Sequence, residues 1–382
     1  MLSKLFNFKN YRLASFDFML LIYVLILSAI GAIILHSATI NAGDTAYQKH
    51  LMGIGVGIAC VCVLCLTDYH VWMKLRVLFY LLALGFLVVT FLFGTDSGTG
   101  AQRWLVLPGV GQIQPSEFVK IALIMFFAGY FGAHEEYVNS PLTVLGSGVL
   151  ILVPLLMIFR QPNLSTTLVT ATIFVGIVFV AGVSWKWFAG VLASLVPVGL
   201  GLFIYAKVTG NNILRGYMLN RIFAFTNIGA AEATDLNRQQ LNSVMAIGSG
   251  GLGGKGLFNA TFESVKNGNF LMEEDCDFIF AVVGEELGFI GSCVVLGLIL
   301  LIILRLLSLA KSAQDMGARL FCAGMAVLIG FQSFVNVGVA THLLPNTGVP
   351  LPFVSAGLSS MLSLYMGIGV VLNISLQRRK VD

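Results

Sequence analysis

Residues 277–307 read DFIFAVVGEELGFIGSCVVLGLILLIILRLL, and this stretch decides the fold. From Leu287 to Leu304 it contains no charged residue. At 1.5 Å per residue that run alone covers about 27 Å, most of a bilayer's hydrocarbon core. The stretch is entered through Glu273-Glu274-Asp275-Cys276-Asp277, and Glu285 and Glu286 lie about two turns further in. A carboxylate within a bilayer costs on the order of 3 kcal/mol or more, so one that persists there has a partner, a wet cavity or a function.

The rest of the chain agrees with a membrane environment. Its 382 residues are 57% hydrophobic and 10% charged, against roughly 25% charged in soluble domains. Apolar runs predict ten transmembrane helices, at about 16–37, 51–67, 74–94, 116–133, 143–159, 164–183, 187–206, 277–307, 317–344 and 352–376. The chain thus reads as a single all-α polytopic domain over 1–382. The net charge of +4 comes from scattered residues, which excludes a nucleic-acid-binding surface. Cys60, Cys62, Cys65, Cys293 and Cys322 lie in apolar runs and read as small apolar residues, not as a disulfide or metal framework. The basic start, MLSKLFNFKNYRLASF, leads into a run too long for a signal-peptide core and predicts an uncleaved first helix.

Lysine and arginine bias places both termini inside. Lys4, Lys9, Arg12, Lys74, Arg76, Lys186, Arg305, Lys311, Arg319 and Arg378-Arg379-Lys380 then share one side, and the short outer loops keep only Lys49, Arg103 and Arg160. Two large outer segments result. One is the Gly-rich 95–115; the other, 206–276 between helices 7 and 8, is far longer than an ordinary connection. Its pieces ILRGYMLNRIFAF and QQLNSVMAIG predict short amphipathic helices at the membrane surface.

Several polar constellations sit at the outer side. GSGGLGGKG (248–256) lacks the Ser or Thr and the preceding strand of a nucleotide loop; it reads as a surface turn or as backbone shaping a pocket for a lipid-linked phosphate. In QPSEFVK (114–120), Pro115 suits a first helical turn, Gln114 or Ser116 could cap it, and Glu117 and Lys120 share a helix face at i,i+3. That pair is either self-neutralising or one wall of an anion-binding cavity with Arg103. Arg160 either snorkels to the interface or binds a ligand. Pro345, Pro350 and Pro352 predict a rigid, broken segment leading to Ser355, which survives at membrane depth only against protein or a wet cavity.

Together, GAQRW (100–104), QPSEFVKIAL (114–123), RIFAF (221–225), IGSGGLGGKGL (247–257), DFIFAVVGEELGFIG (277–291), FVNVG (334–338) and LLPNTGVPLPFVSAG (343–357) resemble the SEDS family of shape, elongation, division and sporulation proteins, typified by RodA, FtsW and SpoVE. The resemblance covers nearly the whole chain. It departs from the family pattern at Met272, Cys276, Asn163, Ser165, Arg238 and Ala356, and keeps the aspartate at 277.

The resemblance implies a ten-helix peptidoglycan glycosyltransferase of the bacterial cytoplasmic membrane. Its substrate would be lipid II, an undecaprenyl-diphosphate-linked disaccharide pentapeptide, and its partner a class B penicillin-binding protein acting as transpeptidase. Asp277 then corresponds to the family's catalytic carboxylate, and Glu117 and Lys120 to its implicated pair. The expected chemistry is inverting transfer, with Asp277 as general base. Arg103, Lys120, Arg160, Arg215 and Arg221, with Ser355, are the candidate substrate-binding residues for the diphosphate-bearing lipid. No dedicated metal-ligand set is visible, and a divalent cation is the one candidate cofactor. On composition alone, a lipid II flippase or other lipid-precursor transporter is the alternative reading.

Overall fold

The computed structural model describes residues 11–39, 45–96, 102–107, 111–161, 163–190, 193, 235–258 and 277–377. Eight helices in this set are long and apolar enough to cross a membrane. They are α1 (Phe18–Thr39), α2 (Thr45–Cys65), α4 (Arg76–Phe93), α5 (Pro115–Ala133), α6 (Pro141–Arg160), α9 (Ile279–Lys311), α10 (Met316–Ala340) and α11 (Leu358–Leu376). A shorter apolar helix, α7 (Leu164–Val180), packs against α5, α6 and α10. These nine correspond to nine of the ten predicted spans; most of the tenth, 187–206, lies outside the described residues. The amphipathic piece 213–225, with Arg215 and Arg221, lies outside them too.

Two predicted boundaries shift for visible reasons. The second helix starts at Thr45, because Tyr47 stacks on His36 and His50 points a ring nitrogen at the Ser28 carbonyl. The third begins after a break. Asp68 caps a six-residue helix, α3 (Tyr69–Lys74), by accepting from His70 N–H, and α4 follows from Arg76. The Gly-rich 95–115 segment holds a small antiparallel sheet, β1 (Thr95–Asp96), β2 (Gln102–Leu107) and β3 (Gly111–Ile113), in the order β1-β2-β3.

Helices 5, 10 and 11 form the buried centre. Much of α11 is enclosed against α2, where Gly53 and Gly57, one turn apart, admit Met361 and Tyr365. Small residues at such spacing let helix backbones approach closely where no hydrophobic effect drives association. A polar cluster ties one end of the bundle. There Arg12 N–H donates to the Leu376 carbonyl and Asn373 Nδ2 to the Tyr11 hydroxyl. Asp17 pairs with Arg305 at 2.8 Å. The Tyr69 hydroxyl donates to Asp315 at 2.5 Å. Burial, and after it Asp315, raise the Tyr69 phenol well above its ordinary range, so it stays a donor at any working pH.

Candidate active site

The opposite end of the bundle gathers the polar constellations. The C-terminal ends of α1, α4, α6 and α10 meet the N-terminal ends of α5, α7, α9 and α11 there. Asp277 stands two residues before α9 and is half-buried. Its position is fixed through its backbone: Asn336 Nδ2, on α10, donates to the Asp277 carbonyl at 3.0 Å and to the Val349 carbonyl at 2.8 Å. One amide thus joins the start of α9 to the proline-rich segment. That segment is irregular and largely buried, with positive φ at His342, Gly348 and Phe353. It is also tied to α7, where Ser165 Oγ donates to the Thr347 carbonyl.

Glu117 and Lys120 pair at 2.8 Å with side chains 4% and 2% exposed. Pro115 opens α5, as predicted, but no side chain caps it. Gln114 instead donates its own N–H to Ser359 Oγ at 2.9 Å, which ties α5 to α11. Glu117 Oε2 has no hydrogen-bond partner among the described residues. A buried ion pair gains little over an apolar replacement, but removing one partner strands a charge. Lys120→Ala is therefore expected to cost about 3–5 kcal/mol, and Glu117→Gln with Lys120→Met to recover much of it. Denaturation midpoints of the purified variants check this.

Arg103, on β2, is half-buried and donates from Nε to the Gln161 carbonyl at 3.4 Å. Arg160, the last residue of α6, is exposed. Asn163 caps α7, accepting from Thr166 N–H at 3.1 Å. Ser355 is buried, and its Oγ accepts from Leu351 N–H at 2.7 Å, a tie to its own loop. No group of three or more His, Cys, Asp or Glu residues poised for a metal occurs among the described residues.

The remaining carboxylates have internal partners. Glu285 pairs with Lys255 at 2.8 Å, and Glu286 accepts from Ser37 Oγ at 2.5 Å. This fits the reading that carboxylates so deep must be partnered. The glycine-rich stretch that supplies Lys255 forms turns with several exposed residues, and it is also bonded to α9. α9 breaks at Gly288 (φ 65°, ψ −163°). Lys255 and Gly256 N–H groups donate to the Glu285 and Glu286 carbonyls, while Phe289 and Ile290 N–H groups donate to Gly251 and Leu252. The loop supplies the backbone partners that the interrupted helix has lost.

The piece QQLNSVMAIG forms part of α8 (Asp235–Ser249), which packs one face on α9 and α10 and leaves Leu241, Val244 and Met245 exposed on the other, an amphipathic arrangement. Gln240 Nε2 donates to the Val339 and Leu344 carbonyls and Ser243 Oγ to Ala340, capping the end of α10. Asn336, Gln161, Gln240 and Lys255 are the residues that sequence reasoning passed over. An amide in an apolar helix was the available signal for Asn336.

The chain matches the FtsW/RodA/SpoVE cell cycle protein family over residues 17–380. It is 33% identical over 380 residues to a probable peptidoglycan glycosyltransferase FtsW of Trichlorobacter lovleyi, covering 96% of this chain and 95% of that one. It is 31% identical over 367 residues to the peptidoglycan glycosyltransferase MrdB of Escherichia coli, covering 95% and 94%. Among solved structures it resembles a chain of a peptidoglycan synthase complex that coordinates polymerization and crosslinking, with TM-score 0.80, 26% identity and coverage of 95% and 98%. It also resembles the rod shape determining protein RodA of Thermus thermophilus, with TM-score 0.67, 25% identity and coverage of 96% and 98%. With a polytopic helical bundle, an aspartate opening α9 and a family match along almost its whole length, the chain belongs to the SEDS family of peptidoglycan glycosyltransferases.

Proposed function

We propose that this chain polymerises lipid II into glycan strands at the outer face of the cytoplasmic membrane, with both termini inside. Asp277 takes the proton of the acceptor's GlcNAc 4-hydroxyl as that oxygen attacks the anomeric carbon of the donor's MurNAc. The bond from that carbon to the diphosphate breaks on the opposite side, and undecaprenyl diphosphate leaves with the electron pair, inverting the centre. Arg103, Arg160 and Lys120 are the cations offered to the charge growing on the leaving group. Lys120 acts through its pair with Glu117, which holds it in one place.

The observation that supports this most is the position of Asp277. It stands half-buried at a helix start, its backbone gripped by Asn336, at the bundle end that also carries Arg103 and the Glu117–Lys120 pair. Family membership supports the reaction class. The crosslinking partner follows from the similarity to a chain of a polymerizing and crosslinking synthase complex, and a class B penicillin-binding protein suits that role.

The test is polymerisation of purified lipid II by the purified full chain, alone and with a cognate class B transpeptidase. Glycan strands are expected with the partner present. Translocation of labelled lipid II across liposomes without strand formation would replace this reading with that of a transporter.

A further inference from the structure

Between α4 and α6, on the perimeter of the bundle, lies a cavity of about 370 Å³. Its walls are apolar, with Phe91 and Leu92 from α4 and Leu156 and Met157 from α6. Phe91, Leu92 and Leu156 are more than half exposed on the protein surface, so the groove opens sideways into the bilayer. Arg160 and Gln161 close one end.

That end is built. Gln161 is 4% exposed. Its Nε2 donates to the Leu87 carbonyl at 3.0 Å, which stitches α6 to α4 across the head of the groove. Its own carbonyl accepts from Arg103 Nε at 3.4 Å. One guanidinium therefore precedes Gln161 in sequence and a second is bonded to it from β2. Planar guanidinium groups bind phosphate oxygens through paired N–H donors.

The polar end also leads towards the reacting carboxylate. Just beyond Gln161, Asn163 caps α7 and Ser165 bonds the Thr347 carbonyl. Two residues on, the Val349 carbonyl shares Asn336 with the Asp277 carbonyl. Segments 163–165 and 347–349, tied by the Ser165 bond, thus connect the start of α7 to the backbone of Asp277.

We propose that this groove seats the head-proximal isoprene units of a polyprenyl diphosphate, with the diphosphate between Arg160 and Arg103 and the rest of the chain in the bilayer. One apolar lane ending at two cations matches a single chain ending in two phosphates; a phospholipid brings two chains and one phosphate. The assignment rests on the polymerase reading above and names where its lipid carrier is held.

The probe is undecaprenyl diphosphate carrying a diazirine on the isoprene unit nearest the diphosphate, photolysed with the full chain in nanodiscs. Labelling of Phe91, Leu92 or Leu156, lost on adding unlabelled undecaprenyl diphosphate, is expected. Labelling confined to other helices overturns the proposal, as does equal labelling of the groove by a diazirine phosphatidylglycerol. Leu156→Trp fills the groove from a lipid-facing position that folding does not need. It is expected to raise KM for lipid II about tenfold with kcat held, since only uniform binding is lost; an unchanged KM counts against the site. Asp277→Asn, run alongside, should keep the label. A wild type that polymerises without labelling the groove defeats the groove alone. A wild type that labels the groove without polymerising defeats the polymerase reading and leaves the lipid site in place.

Discussion

Asp277→Asn is expected to remove lipid II polymerisation almost entirely, with a loss of about 10²–10⁴-fold, the contribution of a positioned general base. The substitution is nearly isosteric and leaves the structural bond intact, because Asn336 grips the backbone carbonyl of residue 277 and not its carboxylate. The variant's denaturation midpoint, measured beside its activity, separates lost chemistry from lost folding. Polymerisation at the wild-type rate by a folded Asp277→Asn protein would remove Asp277 from the mechanism. Glu285 cannot take over, since it lies almost two turns inside α9, which starts two residues after Asp277, and its carboxylate is engaged by Lys255. Loss of Glu285 should register in stability before it registers in chemistry.

The largest purely structural effect is expected at Gly288. Its φ of 65° with ψ of −163° lies in a region that glycine alone occupies readily. A Cβ there would also overlap the amide nitrogen of Gly254 and the Leu252 carbonyl. Gly288→Ala combines backbone strain with overpacking, each about 1–3 kcal/mol, and should destabilise the protein by about 3 kcal/mol or more. Gly297→Ala, further along α9, meets nothing within 4 Å and should be neutral or slightly stabilising. Thermal midpoints of the two variants in one detergent make the comparison. Equal midpoints would mean that the break at 288 is not needed for the fold.

The bundle was legible because membrane helices are written in long apolar runs that owe nothing to distant residues. The partnering of Glu285 and Glu286 was legible for the same reason: a carboxylate in such a run cannot stay alone. Their partners were not, because Lys255 and Ser37 lie on separate elements brought together only by packing. The break at Gly288 was hidden as well. Glycine is common in membrane helices, and nothing local separates Gly288 from Gly297; the difference is the loop at 250–256. The pairing of Glu117 with Lys120 was visible from spacing, but its burial depended on α10 and α11. The amphipathic character of α8 was legible, but the use of its polar residues was not, because Gln240 and Ser243 are spent on the carbonyls that end α10, about a hundred residues away.

The bonds that gather the two ends of the chain carry a consequence in time. Asp17 is 3% exposed, and its guanidinium partner Arg305 is made 288 residues later. At about 5–20 residues per second, synthesis leaves roughly 15–60 s between the two. Over that interval the first helix is present in the membrane without the cation that neutralises its carboxylate. Tyr11 and Arg12 wait longer still, for Asn373 and Leu376. The helix that Tyr69, Tyr11 and Asp17 all bond is α11, so this end of the bundle closes only once α11 has been made. A chain truncated before α11 should be a substrate for membrane proteases and not a smaller functional protein.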